Sequence, residues 1–152
     1  MMKCKRILAL ALCLVMLVSV MSVTAFAANT TDTEFTKFKL NSSDWFYLIT
    51  PREKTNTSKV YLYYTTGTYN SVRAAVYGKS TYSSSTNKNC TYYDGAAVSY
   101  VTCVKGTKYS IGNLVYERGY PWATLGFWSQ YTDTISGVWS PDSAGTYTIA
   151  RP

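Results

Sequence analysis

Hydrophobic and polar positions alternate in short runs along most of the chain, and each run ends at glycine, proline or a cluster of serine and threonine. Successive side chains of a β-strand point to opposite faces, so this alternation predicts half-buried strands. No stretch keeps the 3.6-residue period of an amphipathic helix. We therefore predict an all-β protein, a single-domain antiparallel β-sandwich of about eight to ten short strands that spans residues 34–152.

The predicted strands are separated by turn-forming residues, and the longest connection is the polar segment 79–89. They cover residues 34–40, 45–50, 59–66, 71–78, 90–93, 96–105, 109–118, 121–131, 134–139 and 146–150. Trp45 is followed by an apolar run and is predicted to belong to the core.

The longest apolar run lies at the start of the chain, in residues 7–23. Three basic residues precede it, and Ala25 and Ala27 follow it with the spacing of a cleavage site. This order is typical of a signal peptide, so we predict that residues 1–27 direct secretion and are removed before Ala28, leaving 28–33 as a flexible tail. An uncleaved anchor is the alternative, but ~17 apolar residues are few for a bilayer. We expect an extracellular protein without integral membrane association.

Charge and composition exclude several functions. Segment 1–27 holds three basic residues and no acidic one, so its removal lowers the formal charge from +7 to +4, and a nucleic-acid partner is not expected. The sequence contains no histidine, which removes the base of Ser-His-Asp and Cys-His catalysis and the commonest metal ligand. We expect neither a metal nor a cofactor.

The acidic residues are too scattered to predict an enzyme. A glycoside hydrolase needs two carboxylates that face each other across a cleft. Glu117 and Asp133 form the one pair that can be nominated in strand-rich sequence, and elimination alone selects them. A hydrolase is therefore disfavoured, and no catalytic residue is predicted.

Two cysteines, Cys90 and Cys103, follow the predicted cleavage site. An even number of cysteines in an exported chain favours a disulfide, here across a hairpin with a four-residue loop at 95–98. A tight two-residue turn at Asp94-Gly95 competes with this pairing, because it would set Cys90 opposite Ser99. We predict the disulfide, and a bond between two chains stays open. Without histidine or C-x-x-C spacing, a reactive or metal-binding pair is disfavoured.

Tyrosines mark one predicted sheet face. If segments 59–66 and 71–78 form a hairpin, Leu62 lies beside Val76 and Tyr64 beside Ala74 on the inner face. The outer face then presents an aromatic and basic group together: Tyr61, Tyr63, Arg73 and Tyr77. Such a face is able to stack on sugar rings. Cross-strand tyrosine pairing that stabilises the sheet, or cover from segment 79–89, is the simpler interpretation.

Two tryptophans in segment 121–131 form a second candidate surface. Trp122 and Trp128 share strand parity with Gly126, so the glycine leaves open backbone between two indoles. This arrangement predicts either a shallow binding groove or a β-bulge.

The run Ser136-Gly137-Val138-Trp139-Ser140-Pro141-Asp142-Ser143 resembles the ending of small exported proteins of Gram-positive bacteria, some of which are compared with lactococcin-972-type bacteriocins. The likeness is specific at Ser136, Gly137 and Trp139 and otherwise covers the layout of signal peptide and β-rich body. It implies an extracellular β-sandwich and assigns no binding or catalytic residue. Gly137 itself suggests a bulge or bend that lets Trp139 pack.

These observations favour a non-enzymatic exported interaction module that binds glycan or a cell-wall polymer through an aromatic face. The small cationic chain and the bacteriocin-like resemblance favour the alternative, an antibacterial or signalling polypeptide that acts on other cells. The expected partner is an extracellular polysaccharide or the cell wall.

Overall fold

The computed structural model describes residues 28–42 and 46–152. The predicted signal peptide and the predicted core residue Trp45 lie outside the described residues. No helix in the described part of the chain is long and apolar enough to span a membrane.

The described residues form thirteen strands, several of them only two residues long. They are β1 (Thr33–Leu40), β2 (Tyr47–Leu48), β3 (Arg52–Glu53), β4 (Val60–Thr66), β5 (Ser71–Lys79), β6 (Lys88–Asn89), β7 (Tyr92–Tyr93), β8 (Ala96–Ala97), β9 (Val101–Val104), β10 (Lys108–Ile111), β11 (Trp122–Trp128), β12 (Asp133–Ser140) and β13 (Thr148–Ile149). The all-β prediction is confirmed.

Two larger sheets hold nearly all of these strands. The first sheet has the order β1-β12-β4-β10-β13, and the second has the order β2-β11-β5-β6, with β3 also on β11 and β9 also on β5. All their ladders are antiparallel except the one between β10 and β13. Phe35 of the first sheet lies 5.0 Å from Phe127 of the second, ring centre to ring centre, and one core joins both sheets. The arrangement is a β-sandwich.

The predicted faces of β4 and β5 are correct, but their predicted pairing is wrong. The inward side chains of both strands are buried in the common core: Val60, Leu62, Tyr64, Val72, Ala74 and Val76. However, β4 pairs with β12 and β10 in one sheet, whereas β5 pairs with β11, β6 and β9 in the other. Segment 67–70 therefore crosses between the sheets, because the two apolar faces meet across the core instead of side by side.

Asp133 fixes this crossing. Its carboxylate accepts hydrogen bonds from the backbone N–H of Thr68 at 2.9 Å and of Tyr69 at 3.4 Å, and Tyr64 donates from its hydroxyl to the Tyr69 carbonyl at 2.7 Å. Asp133 is almost fully buried. It is therefore a structural acceptor at the start of β12.

Gly137 lies at a bulge, as its position in the sequence predicted. The register between β12 and β4 shifts between Ser136 and Gly137. A Cβ atom at Gly137 would collide with the carbonyl oxygen of Tyr63 and lie 2.6 Å from the ring of Phe35. After the bulge, Trp139 pairs with Leu62 and is buried in the core.

A buried ion pair holds the other end of β12. The ammonium of Lys54 lies 2.6 Å from Asp142 Oδ1, and neither side chain is exposed. The second oxygen, Oδ2, accepts from the backbone N–H of Asn29 at 2.9 Å and from the Thr55 hydroxyl at 2.7 Å. Ser58 Oγ also lies 3.3 Å from Oδ1. One carboxylate thus joins the start of the described chain, the loop after β3 and the turn after β12.

Segment 28–33, predicted as a flexible tail, makes several of these contacts. Besides Asp142, Asn29 contacts Arg52, whose guanidinium donates to Asn29 Oδ1 at 2.6 Å and also to the Thr31 carbonyl. Thr33 already begins β1 and pairs with Trp139.

The predicted disulfide between Cys90 and Cys103 is not formed, and both cysteines are buried and free. Cys103 pairs with Val72, and the backbone N–H of Cys90 donates to the Val76 carbonyl, so both lie along the same edge of β5. Four residues of strand separate them by about 13 Å, whereas a disulfide needs Cα atoms roughly 4.4–6.8 Å apart. The tight turn at Asp94-Gly95 forms instead, with positive φ at both residues.

Replacing Asp142 by Asn should lower the free energy of unfolding by about 3–5 kcal/mol at neutral pH, because the Lys54 ammonium would remain buried without its counter-charge. Urea denaturation followed by tryptophan fluorescence measures the loss. Asp94→Asn makes the same chemical change in an exposed turn and should have little effect. Equal losses for the two variants would contradict a stabilising role of the pair.

The same variant should change the pH dependence of stability. Burial alone would raise the pKa of Asp142, but hydrogen bonds from Lys54, Thr55 and Asn29 outweigh it and hold the pKa below its ordinary value of 3.8. A depressed folded-state pKa gives stability that is complete above the unfolded value and is lost as the pH falls through the folded value. Acid unfolding should therefore be shallower in Asp142→Asn. Asp133, whose pKa is also lowered by backbone hydrogen bonds that outweigh its burial, should keep contributing to the slope in this variant.

Both thiols should resist modification in the folded protein. Burial raises the pKa of Cys103 to about 12, so its thiolate is scarce at neutral pH. In the protein without residues 1–27, iodoacetamide without reductant should add nothing to the folded state and should label Cys90 and Cys103 in denaturant, as intact mass spectrometry will show. An unreduced, denatured chain that takes up no label would instead mean that the cysteines are bonded.

Candidate aromatic binding cleft

The outer face of the second sheet brings together four of the six residues that the sequence nominated for binding. Ala123, Leu125 and Phe127 of β11 point into the core, so the alternate positions face outward. The register places Trp128 opposite Arg73, and it places Tyr77 and Lys79 opposite Thr124 and Trp122. Arg73, Tyr77, Trp122 and Trp128 therefore share one face.

The other two nominated residues, Tyr61 and Tyr63, belong to the first sheet, so the predicted single face of tyrosines does not exist. Tyr61 is buried, with its ring centre 4.7 Å from that of Tyr147. Burial raises the pKa of Tyr61 to about 12. Tyr63 carries the ammonium of Lys108 at 5.7 Å from its ring centre. Tyr61 therefore stabilises its sheet, which agrees with the simpler interpretation of the pattern.

The predicted groove at Gly126 is filled, and no bulge occurs there. The ladder with β5 is regular through the pair of Gly126 and Ala75. A Cβ atom at Gly126 would lie 2.7 Å from the ring of Tyr77 and 2.8 Å from Leu48. Tyr77 in turn lies against Phe46, 6.1 Å between ring centres. The protein's own side chains cover this part of the face.

Trp122 lies at the covered end of the face. Tyr82, from segment 80–87, meets it edge to face with 5.3 Å between ring centres. This contact is the cover from the polar connection that the sequence analysis considered as an alternative to ligand binding. Trp122 and Tyr77 are therefore explained by packing.

An open cleft of about 290 Å³ occupies the other end of the face. Arg73 and Trp128 form part of it, together with residues from the segment before β5, from β9 and from the loop after β11. The lining residues are Tyr69, Ser71, Arg73, Thr102, Trp128, Ser129, Gln130 and Tyr131. Aromatic rings and uncharged hydrogen-bonding groups thus surround one cation.

The guanidinium of Arg73 contacts two aromatic rings. Its central carbon is 4.3 Å from the ring centre of Trp128 and 4.5 Å from that of Tyr100. Cation–π attraction to both rings restrains a flat group that otherwise rotates freely. Tyr100 is itself braced by Phe46, 6.4 Å away between ring centres.

Tyr69 and Tyr131 form the rim of the cleft. Their rings are stacked, with centres 5.2 Å apart and planes 25° from parallel. They are among the most exposed large side chains of the described residues, at 37% and 53%. Neither tyrosine is among the predicted binding residues, because Tyr69 lies in the predicted hairpin loop and Tyr131 at the end of a predicted strand. The available signal was a large aromatic side chain, Tyr69, within a turn segment, where an exposed ring is not needed for the turn.

The two carboxylates nominated for hydrolysis do not form a site. Asp133 accepts hydrogen bonds from the backbone of segment 67–70. Glu117 is exposed in the turn at 115–119, and its charge partly offsets the burial that lowers the pKa of Lys54, which lies near the far end of β12. Their separation along the sandwich leaves no shared cleft. Among the described residues, no group of acidic and cysteine side chains is placed to hold a metal ion.

A family model described as a protein of unknown function (DUF2712) matches residues 22–143. That range includes the whole cleft and Asp142. No curated protein and no solved structure matches the chain. No named relative therefore supports the resemblance to lactococcin-972-type bacteriocins.

Gly126→Ala should lower the free energy of unfolding by about 1–3 kcal/mol, because the added methyl group must displace Tyr77 and Leu48. Gly137→Ala should lower it more, because there the methyl group meets a backbone carbonyl that cannot move aside. Urea denaturation of both variants tests the ranking. If Gly126→Ala left the free energy of unfolding unchanged, the space over this glycine would be open, as a groove requires.

Proposed function

We propose that this chain, which belongs to the DUF2712 family, is a secreted, non-catalytic protein that binds polysaccharide in the cleft beside Arg73 and Trp128. The observation that carries the proposal is the exposed, stacked pair of Tyr69 and Tyr131 next to that cleft. The predicted signal peptide supports an extracellular site of action.

The chemistry of the cleft suits a sugar. A pyranose ring has an apolar face of C–H groups and an edge of hydroxyls, so it needs a flat aromatic surface beside hydrogen-bonding groups. Tyr69 and Tyr131 supply such a surface, and Ser71, Thr102 and Gln130 supply the polar groups. Binding sites in general combine apolar walls with a few placed polar groups.

The rim is held in place before a ligand arrives. The backbone of Tyr69 is fixed by Asp133 and by the hydroxyl of Tyr64, and the backbone N–H of Tyr131 donates to Ser129 Oγ at 3.4 Å. A preordered site loses less conformational entropy on binding. The cleft has an open form, which suits a segment of a polymer better than an enclosed small molecule.

Binding without catalysis is supported by the lining of the cleft. It includes no aspartate or glutamate, so a bound glycosidic bond would meet no general acid and no carboxylate nucleophile. The nearest buried carboxylate, Asp133, is occupied by backbone N–H groups.

Tyr131→Ala should weaken binding to polysaccharide by about tenfold, since one aromatic stacking contact contributes roughly 1–3 kcal/mol. The measurement is co-sedimentation of the purified protein with Gram-positive cell walls and a set of insoluble polysaccharides, at low and high salt. Tyr116→Ala is the matched control, because Tyr116 is a similarly exposed tyrosine outside the cleft.

Retention of the native protein on at least one polymer, lost in Tyr131→Ala and kept in Tyr116→Ala, supports the proposal. Thermal unfolding of both variants checks that they are folded. Equal retention of the two variants would place binding elsewhere, and no retention on any polymer would reject polysaccharide binding.

A further inference from the structure

The cleft contains one positively charged side chain, that of Arg73. None of the residues that line it is acidic. Within residues 28–42 and 46–152, the one ion pair is that of Lys54 with Asp142, at the opposite end of the sandwich. A half-buried cation that makes no ion pair within the described residues attracts a negatively charged ligand.

The orientation of Arg73 decides which of its atoms a ligand reaches. Cation–π contacts with Trp128 and Tyr100 restrain the guanidinium of Arg73 and use none of its N–H groups as hydrogen-bond donors to an oxygen. Those N–H groups make no hydrogen bond to the protein among the described residues. A guanidinium presents its donors as a fork that matches the two oxygens of a carboxylate or phosphate.

We propose that the cleft selects an anionic polysaccharide, with Arg73 binding a carboxylate or phosphate of the polymer while a sugar ring stacks on Tyr131. This inference rests on the proposed function and adds the charge of the ligand. A neutral polymer would leave the Arg73 donors without an acceptor inside a partly desolvated cleft, which disfavours binding. Ser71 and Thr102 lie close enough to line the same cleft and complete the set of donors.

The surroundings of Arg73 differ from those of an ordinary surface cation. Lys108 is also a cation over an aromatic ring, but it is exposed, contacts the single ring of Tyr63 and belongs to the other sheet. Both residues contribute equally to net charge. Of these two residues, only Arg73 contacts two rings and lines the cleft beside the stacked tyrosines. Arg73 and Lys108 are therefore a matched pair for an experiment.

The test compares polymers that differ only in charge. Polygalacturonate and its methyl ester share one backbone, and Gram-positive cell walls before and after removal of their phosphate polymers by hydrofluoric acid form the second comparison. We expect stronger retention on the charged member of at least one comparison. The comparison that shows the difference identifies carboxylate or phosphate as the bound group.

Arg73→Gln should weaken binding to the charged polymer by about tenfold or more, the usual effect of losing a charge-assisted hydrogen bond. In this variant the preference for the charged over the neutral member should disappear. Lys108→Gln lowers net charge equally and should bind like the native protein. Arg73→Lys keeps the charge without the planar fork and should show intermediate affinity. Thermal unfolding of each variant excludes loss of structure as the cause.

Equal retention of the native protein on the charged and neutral members would overturn the inference and leave polysaccharide binding intact, provided that Tyr131→Ala still binds weakly. Equal losses in Arg73→Gln and Lys108→Gln would also overturn it, because unspecific charge would then explain retention. If no polymer in either comparison retains the protein, polysaccharide binding itself is rejected.

Discussion

The buried ion pair of Lys54 and Asp142 is the constraint on which the rest of the sandwich depends. Moving two charges out of water costs several kcal/mol per ion, and only close contact with further hydrogen bonds offsets that cost. Asp142 meets this requirement through Lys54, Thr55, Ser58 and the backbone of Asn29. The loop after β3 and the start of the described chain are therefore tied to one point at the end of β12.

A second aspartate, Asp133, also joins separate segments through hydrogen bonds, at the other end of β12. Asp133 begins β12, which is roughly 24 Å long, and Asp142 lies two residues beyond its last residue. Asp133 collects backbone N–H groups from the segment that crosses between the sheets, and it thereby positions Tyr69 at the rim of the cleft. A strand of the first sheet, β12, thus fixes a binding surface that belongs largely to the second sheet.

The sequence predicted which face of each strand points inward, because that depends on local alternation. It did not predict which strands pair, because residues far away in the sequence determine the pairing. Inward positions such as Leu62 and Val76 were identified correctly, because a period of two fixes the face of a strand whichever neighbour it pairs with. The partner of β4 was not identified, since segment 67–70 suits a hairpin as well as a crossing, and the residue that selects the crossing, Asp133, lies 65 positions later. For the cysteines, the local signal was the correct one. The tight turn at Asp94-Gly95 determines the register, whereas the disulfide expected from an oxidising compartment is not formed.

The same reasoning explains why the candidate site was found only in part. Aromatic residues occur along the whole outer face of β11 and β5, and alternation alone cannot tell which of them the chain itself covers. Among the described residues, β2 and β3 pair with β11 from Trp122 to Phe127, and Phe46, Tyr77 and Tyr82 fill that half. The ladder with β2 ends at Phe127, one residue before Trp128. The cleft begins at that boundary, so the position of a two-residue strand determines which aromatic residues of this face lie under β2 and β3 and which line the cleft.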